Sequence, residues 1–318
     1  MMESLLSAMK AAAEPTRLRL LALCAHADLT VTDLVQILGQ SQPRLSRHLK
    51  LLSEAGLLDR NREGSWVYFR LAHEGPSAAL ARTLVEALPK EDATVVRDLR
   101  RLDELMGERA QRAEDYFRQV AGRWDELRAL YVHDDEVERQ LAALIADETV
   151  TDLLDIGTGT GRILEILADK VEHAVGVDLS SDMLMLARSK LERARLRNCV
   201  VRKGDMNHLP LAEASFDAVT IHQVLHYAER PGRTIQEAAR VLRPGGRLFI
   251  VDFQAHELEQ LRSEHEHRWL GFEEDTMADW LTAAGLKLED CRCLKGKALT
   301  ICIWVARQAL APSRSAAA

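Results

Sequence analysis

Along the first 90 residues the apolar positions keep a helical spacing, interrupted once. Leu18, Leu20, Leu21 and Leu23, then Val31, Leu34, Ile37 and Leu38, recur every three or four positions and predict two helices. Pro15 suits a first helical turn and Gly39 a C-terminal stop. A third helix opens at Ser41-Gln42-Pro43; Leu45, Leu49 and Leu52 share one face, and Gln42, Ser46, Arg47 and Lys50 point away from it. Gly56 to Arg70 then reads as strand, turn and strand, with Arg60 and Arg62 near the tip. A helix over 77–88 ends at Pro89. Residues 92–120, rich in Arg, Glu and Asp, carry Val95, Val96, Leu99, Leu102, Leu105 and Met106 at helical spacing, which predicts an amphipathic helix with one buried stripe. Beyond residue 150 the pattern changes. Short apolar strands at Val150–Ile156, Ala174–Asp178, from Cys199 and at Phe216–Gln223 and Arg247–Phe253 alternate with helical stretches, and a hairpin over Leu288–Arg307 closes the series. That alternation predicts a doubly wound parallel sheet.

The first of these strands runs into three glycines at alternate positions, Gly157, Gly159 and Gly161. Glycine-rich turns at the carboxyl end of a parallel strand are where open α/β sheets hold nucleotide-like ligands. The spacing is G-x-G-x-G, and Arg162 follows at once, which departs from the dinucleotide fingerprint. Asp178 ends the next strand, where a carboxylate can accept both hydrogens of a ribose diol. Asp205-Met206 follows the third strand. Taken singly, the plainer alternative for Asp178 or Asp205 is a cap on the helix that comes after it. In order and together, these motifs resemble the class I S-adenosylmethionine-dependent methyltransferases, of the type that includes the ubiquinone-biosynthesis enzymes, over about residues 115–308. The resemblance implies that Gly157, Gly159 and Gly161 lie against the methionine part of the cofactor, with Asp155 near its amino group. It places Asp178 on the ribose, Asp205 on the adenine amine, Met206 beside the ring and Leu179 and Met183 as walls. His222 and Gln223 fall near the sulfonium.

Two helices joined by a short glycine-containing turn, the second polar and basic outside, followed by a hairpin, read as a winged helix-turn-helix. Ser41-Gln42-Pro43, Ser46-Arg47-His48-Leu49 and Ala55-Gly56-Leu57 resemble the ArsR family of repressors over about residues 3–75. That resemblance nominates Gln42, Arg44, Ser46, Arg47 and His48 for operator bases, with Lys50 and Arg62 on phosphates, and implies a homodimer through the first and last helices of the domain. Arginine pairs well with guanine and glutamine with adenine. Arsenic-sensing relatives often carry Cys-Val-Cys where this chain has Thr30-Val31-Thr32, and hydroxyls do not replace thiolates as soft-metal ligands. The helix over 77–88 holds no histidine. No metal is therefore expected at those places.

Charge agrees with this division. The chain of 318 residues carries −7 overall, yet residues 1–72 hold nine basic and seven acidic side chains, and residues 41–70 hold six against three. No run approaches a membrane span, and neither a signal peptide nor a membrane partner is expected. Five scattered cysteines suggest a reducing cytoplasm and no disulfide framework. Cys291, Cys293 and Cys302 fall in the closing hairpin, the first two on one side of a strand. They invite comparison with arsenite methyltransferases, although they match no motif and buried small side chains explain them adequately. His265 and His267 are acid/base candidates beside His222, with a solvated helix face as the plainer alternative. Tyr116, Phe117, Trp124 and Tyr131 either cover the cofactor or pack in the core.

The expected architecture is α/β: a winged helix-turn-helix and dimerisation domain (1–90), a helical bridge or lid (91–135), a Rossmann-like methyltransferase domain (136–310) and a tail (311–318). The expected function is a regulator of a double-stranded DNA operator that responds to S-adenosylmethionine or S-adenosylhomocysteine. The alternative is an active small-molecule methyltransferase whose first domain regulates its own operon.

Overall fold

The computed structural model describes residues 2–63, 66–73, 75–89, 91–128 and 134–310, with the backbone alone at 63, 110, 112–128 and 134. The turn at 64–65, the side chains of Tyr116, Phe117 and Trp124, Tyr131 and the tail at 311–318 lie outside the described residues. The chain divides into two compact units, Met1–Arg112 and Ala113–Ala318.

The first unit contains α1 (Met2–Ala12), α2 (Pro15–Cys24), β1 (Leu29–Thr30), α3 (Val31–Leu38), α4 (Gln42–Glu54), β2 (Leu58–Glu63), β3 (Trp66–Leu71), α5 (Ala78–Glu86) and the start of α6 (Ala93–Arg128). Local chemistry sets its boundaries. Glu14 caps α2 by accepting from the Arg17 amide, ahead of Pro15. Thr30 and Asp33 form a reciprocal capping box on α3, so Thr30, which stands where a thiolate was looked for, serves a helix start. Gly39 takes φ 65°, the left-handed stop that ends α3. Leu20, Leu34, Ile37, Leu45, Leu49 and Leu52 are fully buried in one core, which Leu102 and Leu105 of α6 join. β1 adds a third strand to the hairpin, in the order β1-β3-β2.

The expected buried stripe on α6 needs a correction. Val96 is 49% exposed, whereas Asp98 is 1% exposed. Asp98 accepts two hydrogen bonds from the Arg19 guanidinium, at 2.5 and 2.8 Å. A paired carboxylate thus takes an inward position that an apolar count does not register.

The second unit is built on a seven-stranded sheet. Its strands are β4 (Val150–Ile156), β5 (Val171–Asp178), β6 (Cys199–Lys203), β7 (Phe216–His222), β8 (Leu242–Phe253), β9 (Leu286–Lys295) and β10 (Thr300–Gln308), in the order β6-β5-β4-β7-β8-β10-β9. β10 alone runs antiparallel to its neighbours. The helices are α7 (Asp134–Ala146), α8 (Arg162–Leu167), α9 (Ser181–Arg193), α10 (Pro231–Val241), α11 (Gln260–Glu264) and α12 (Glu274–Ala283). Apolar clusters cover the sheet on both faces, which is why β4 and β7 read as nearly continuous apolar runs. β4 lies centrally, with strand order reversing about it, the place where open α/β sheets hold ligands at the strands' carboxyl ends.

Two expectations fail in this unit. Cys293 and Cys302 are joined by a disulfide, although the cysteine pattern predicted no disulfide framework; antiparallel pairing of β9 with β10 sets the two residues opposite one another. The 264–272 segment is also no solvated helix face. α11 ends at Glu264, Glu266 adopts φ 59°, and His267 is only 2% exposed.

Candidate cofactor pocket and DNA-facing helix

The turn after β4 folds back onto β5. The amides of Gly157 and Thr158 both donate to the Val177 carbonyl, at 2.7 and 3.0 Å. Gly157, Gly159 and Gly161 have φ of 70°, 52° and 76°, so alternate glycines answer to alternate left-handed residues. Their surroundings differ. A Cβ on Gly157 would lie 2.5 Å from the Val224 side chain, whereas one on Gly159 would meet nothing within 4 Å. Gly159 therefore faces open space, as a ligand-facing backbone must.

Asp178 closes the turn at the end of β5. One carboxylate oxygen accepts from the Gly159 amide at 2.8 Å and the other from the Ser180 amide at 2.8 Å. Ser180, not Asp178, supplies the side-chain cap of α9, through Met183. Beyond it Leu179 is 66% exposed and Met183 is half-buried. Asp205 is exposed and accepts from the backbone and side-chain amides of Asn207; Met206 beside it is half-buried.

Asp155 lies inside the sheet, 1% exposed. Thr220, its register partner on β7, donates to one oxygen at 2.7 Å, while the other oxygen is buried and has no hydrogen-bond partner. Burial pushes the carboxyl up to about 6, against the lowering effect of the Thr220 and Thr158 hydroxyls and with the Asp178 charge adding to the rise. A carboxylate in this state is well served by a cation brought beside it. A nucleoside that bears an ammonium group thus fits two features here: the unmatched Asp155 oxygen and the open backbone at Gly159. Arg162 stands apart from these contacts, holding Glu138 of α7 at 2.7 Å and Glu165 at 3.4 Å.

His222 ends β7 and Gln223 follows with φ 50°, a conformation that non-glycine residues avoid and that clusters at functional sites. Four residues beyond His222 lies a histidine that sequence reasoning missed. His226, in the 3-10 turn Leu225–Tyr227, is 1% exposed and bonds through Nδ1 to Asp252 at 2.7 Å. Asp252 also accepts from the amides of His226 and Phe253. With Nδ1 facing the Asp252 carboxylate, the other ring nitrogen of His226, Nε2, points away from that carboxylate. His267 stacks on His226 with centroids 4.1 Å apart, and burial holds it down to about 3, so it stays neutral. Nε2 of His226, both ring nitrogens of His267 and Nε2 of His256 are buried without partners. His265 is half-buried beside this group, its ring centroid 6.3 Å from that of His267. The signal for Asp252 was present in the sequence: like Asp178, it is a carboxylate near the end of a parallel strand.

In the first unit, Gln42, Arg44, Arg47 and Lys50 are exposed on α4, Ser46 is half-buried, and Arg62 is exposed on β2. Lys50 lies 3.7 Å from Glu54, an exposed pair of small energetic weight. His48 departs from this open face. It is half-buried, with Nδ1 3.8 Å from the Glu14 carboxylate, and burial lowers its pKa.

Residues 14–60 match the family model described as bacterial regulatory protein, arsR family, and residues 154–250 match that of a methyltransferase domain. Over 117 residues the chain is 35% identical to the arsenite methyltransferase of Halobacterium salinarum, covering 36% of this chain and 29% of that one. Over 153 residues it is 33% identical to the ubiquinone/menaquinone biosynthesis C-methyltransferase UbiE of Roseobacter denitrificans, covering 46% and 61%. The chain thus spans less than two thirds of either relative. In fold it is similar to a chain from the complex between the Haloferax volcanii Trm112 methyltransferase activator and a methyltransferase, with TM-score 0.51, 18% identity and 63% and 97% coverage. The chain thus matches an arsR-family model near its start and a methyltransferase-domain model in its second half.

Proposed function

We propose that this chain is a transcriptional regulator that binds a double-stranded DNA operator through its first unit and takes S-adenosylmethionine or S-adenosylhomocysteine as a regulating ligand in its second. One coincidence carries the proposal: an exposed polar face on α4 and a glycine turn beside an unmatched buried carboxylate occur in one chain. Gln42, Arg44, Ser46 and Arg47 read the major groove, with His48 supporting the helix from behind and Lys50 and Arg62 on phosphates. In the pocket, the Asp155 carboxylate holds the ligand's ammonium, and Asp178 turns to the ribose hydroxyls. Leu179, Met183 and Met206 enclose the adenine, Asp205 meets its amine, and Gly157, Gly159 and Gly161 admit the amino-acid part. His222 and Gln223 border the sulfonium.

The working form is a homodimer in the cytoplasm. Met2, Leu5, Leu6 and Met9 stand 71, 45, 47 and 53% exposed on α1, an i, i+3, i+4, i+7 stripe left uncovered by the described residues of the first unit. A dimer must match half-sites about 34 Å apart, so a small rotation of the recognition helices weakens binding strongly. α6 includes residues of both units and is the covalent route between them.

A second proposal, that the domain also transfers a methyl group, is favoured by the His226–Asp252 pair. With Nδ1 engaged, His226 Nε2 can take a proton from an acceptor hydroxyl as the methyl group arrives. The cofactor supplies an activated methyl group when bound; the chain's own residues orient the acceptor, exclude water and receive its proton. Footprinting of the DNA upstream of the chain's own gene tests the first proposal. Arg47→Ala is expected to lower operator affinity at least tenfold while ligand binding stays unchanged; an unaltered footprint would count against it.

A further inference from the structure

The closing hairpin carries chemistry that neither proposal uses. β9 and β10 pair antiparallel with Cys293 opposite Cys302, their Cα atoms 4.1 Å apart. Cys291 lies two residues earlier on the same face, its Sγ 3.9 Å from that of Cys293. All three sulfur atoms fall within 4.8 Å of one another, and among the described residues this is a cluster of metal-ligating side chains with no oxygen or nitrogen donor in it. Cys302 is 1% exposed, Cys291 half-buried and Cys293 exposed, so the group has a buried floor and an open side.

We propose that, once the Cys293–Cys302 disulfide is reduced, Cys291, Cys293 and Cys302 form a three-sulfur site for a soft divalent cation of the Zn²⁺ and Cd²⁺ class. The proposal is independent of the DNA and cofactor assignments. Two equivalents of a small thiol reduce the disulfide, giving two cysteine thiols and one small-molecule disulfide. The cation then binds three thiolates as three protons leave. Size fits: a tetrahedral ion with bonds of about 2.3 Å to sulfur holds its ligands about 3.8 Å apart, against the 3.9 Å between Cys291 and Cys293. Donor type fits as well, since thiolates select soft ions over Mg²⁺ or Ca²⁺. Three protein sulfurs leave a fourth position on the exposed side for solvent or an outside ligand. Oxidation to the disulfide removes two of the three donors and closes the site.

The test titrates the full chain, reduced with a phosphine and stripped of metal, with Cd²⁺, following the near-ultraviolet sulfur-to-cadmium charge-transfer band. The expected result is one Cd²⁺ per chain with three thiols protected from a thiol reagent, and no band before reduction. Cys291→Ser and Cys293→Ser, both on the accessible side, are expected to weaken binding at least tenfold with circular dichroism unchanged; Cys199→Ala, outside the cluster, retains it. No uptake after reduction, or unchanged uptake in both serine variants, overturns the proposal. Arsenite is the second arm. Displacement of Cd²⁺ one for one supports the shared three-sulfur chemistry, whereas arsenite uptake without any Cd²⁺ uptake overturns the assignment to a divalent cation.

Discussion

Gly157 and Gly159 share a left-handed backbone yet answer to different neighbours, and the difference is measurable. Alanine at Gly159 costs the left-handed penalty alone, about 1–2 kcal/mol, because its Cβ enters open space. Alanine at Gly157 costs more, since its Cβ also meets Val224 at 2.5 Å. Thermal unfolding should show Gly157→Ala as the more destabilised variant and Val224→Ala as restoring part of that loss; equal losses without rescue would contradict the contact. Asp155 gives a pH test. Its carboxyl is raised to about 6 in the fold, from about 4 in an unfolded chain. Stability from this group is fully present below about pH 4 and lost as pH rises through about 6. Ligand affinity runs oppositely, strengthening as the carboxylate forms. Asp155→Asn should erase both slopes, and an unchanged profile in calorimetry would remove Asp155 from the site. The glycines and Asp178 were legible in the sequence because their spacing follows from a βα turn. The burial of Asp155 was not, because it depends on Thr220, 65 residues away on a neighbouring strand.

Helices and strands were more legible than the side chains they bury. Pro15 and Gly39 marked the start of α2 and the end of α3 because first-turn prolines and glycine stops are local chemistry, and Pro43 marked the first turn of α4 in the same way. The parallel strands followed from apolar runs bounded by turn residues. What local pattern could not deliver was an inward charge: Asp98 is buried through Arg19, and Val96 is displaced to solvent. The same limit hid the burial of His267, which stacks on His226 across a loop. α1 carries the opposite signal, an apolar stripe outside. Leu5→Glu with Leu6→Glu should shift the chain to monomer in analytical ultracentrifugation and weaken operator binding at least tenfold, leaving ligand affinity intact. A dimer that persists in this variant would place the interface elsewhere.

For the whole chain, the decisive property is coupling between the two units. Coupling requires that a ligand distinguish two states of the protein, and its size is the ratio of DNA affinities with and without ligand. Cofactor motifs are needed equally by a sensor and by an enzyme, so their presence does not decide between the two. The His226–Asp252 pair bears on transfer alone, and the α4 face on DNA alone. The deciding measurement is a footprinting titration of the chain's own upstream DNA at fixed salt, without ligand and with saturating S-adenosylmethionine or S-adenosylhomocysteine. A ligand-responsive regulator shows at least a fivefold change in operator affinity with one of the two, a coupling of about 1 kcal/mol. Identical affinity in all three conditions, with ligand binding verified separately, would contradict it.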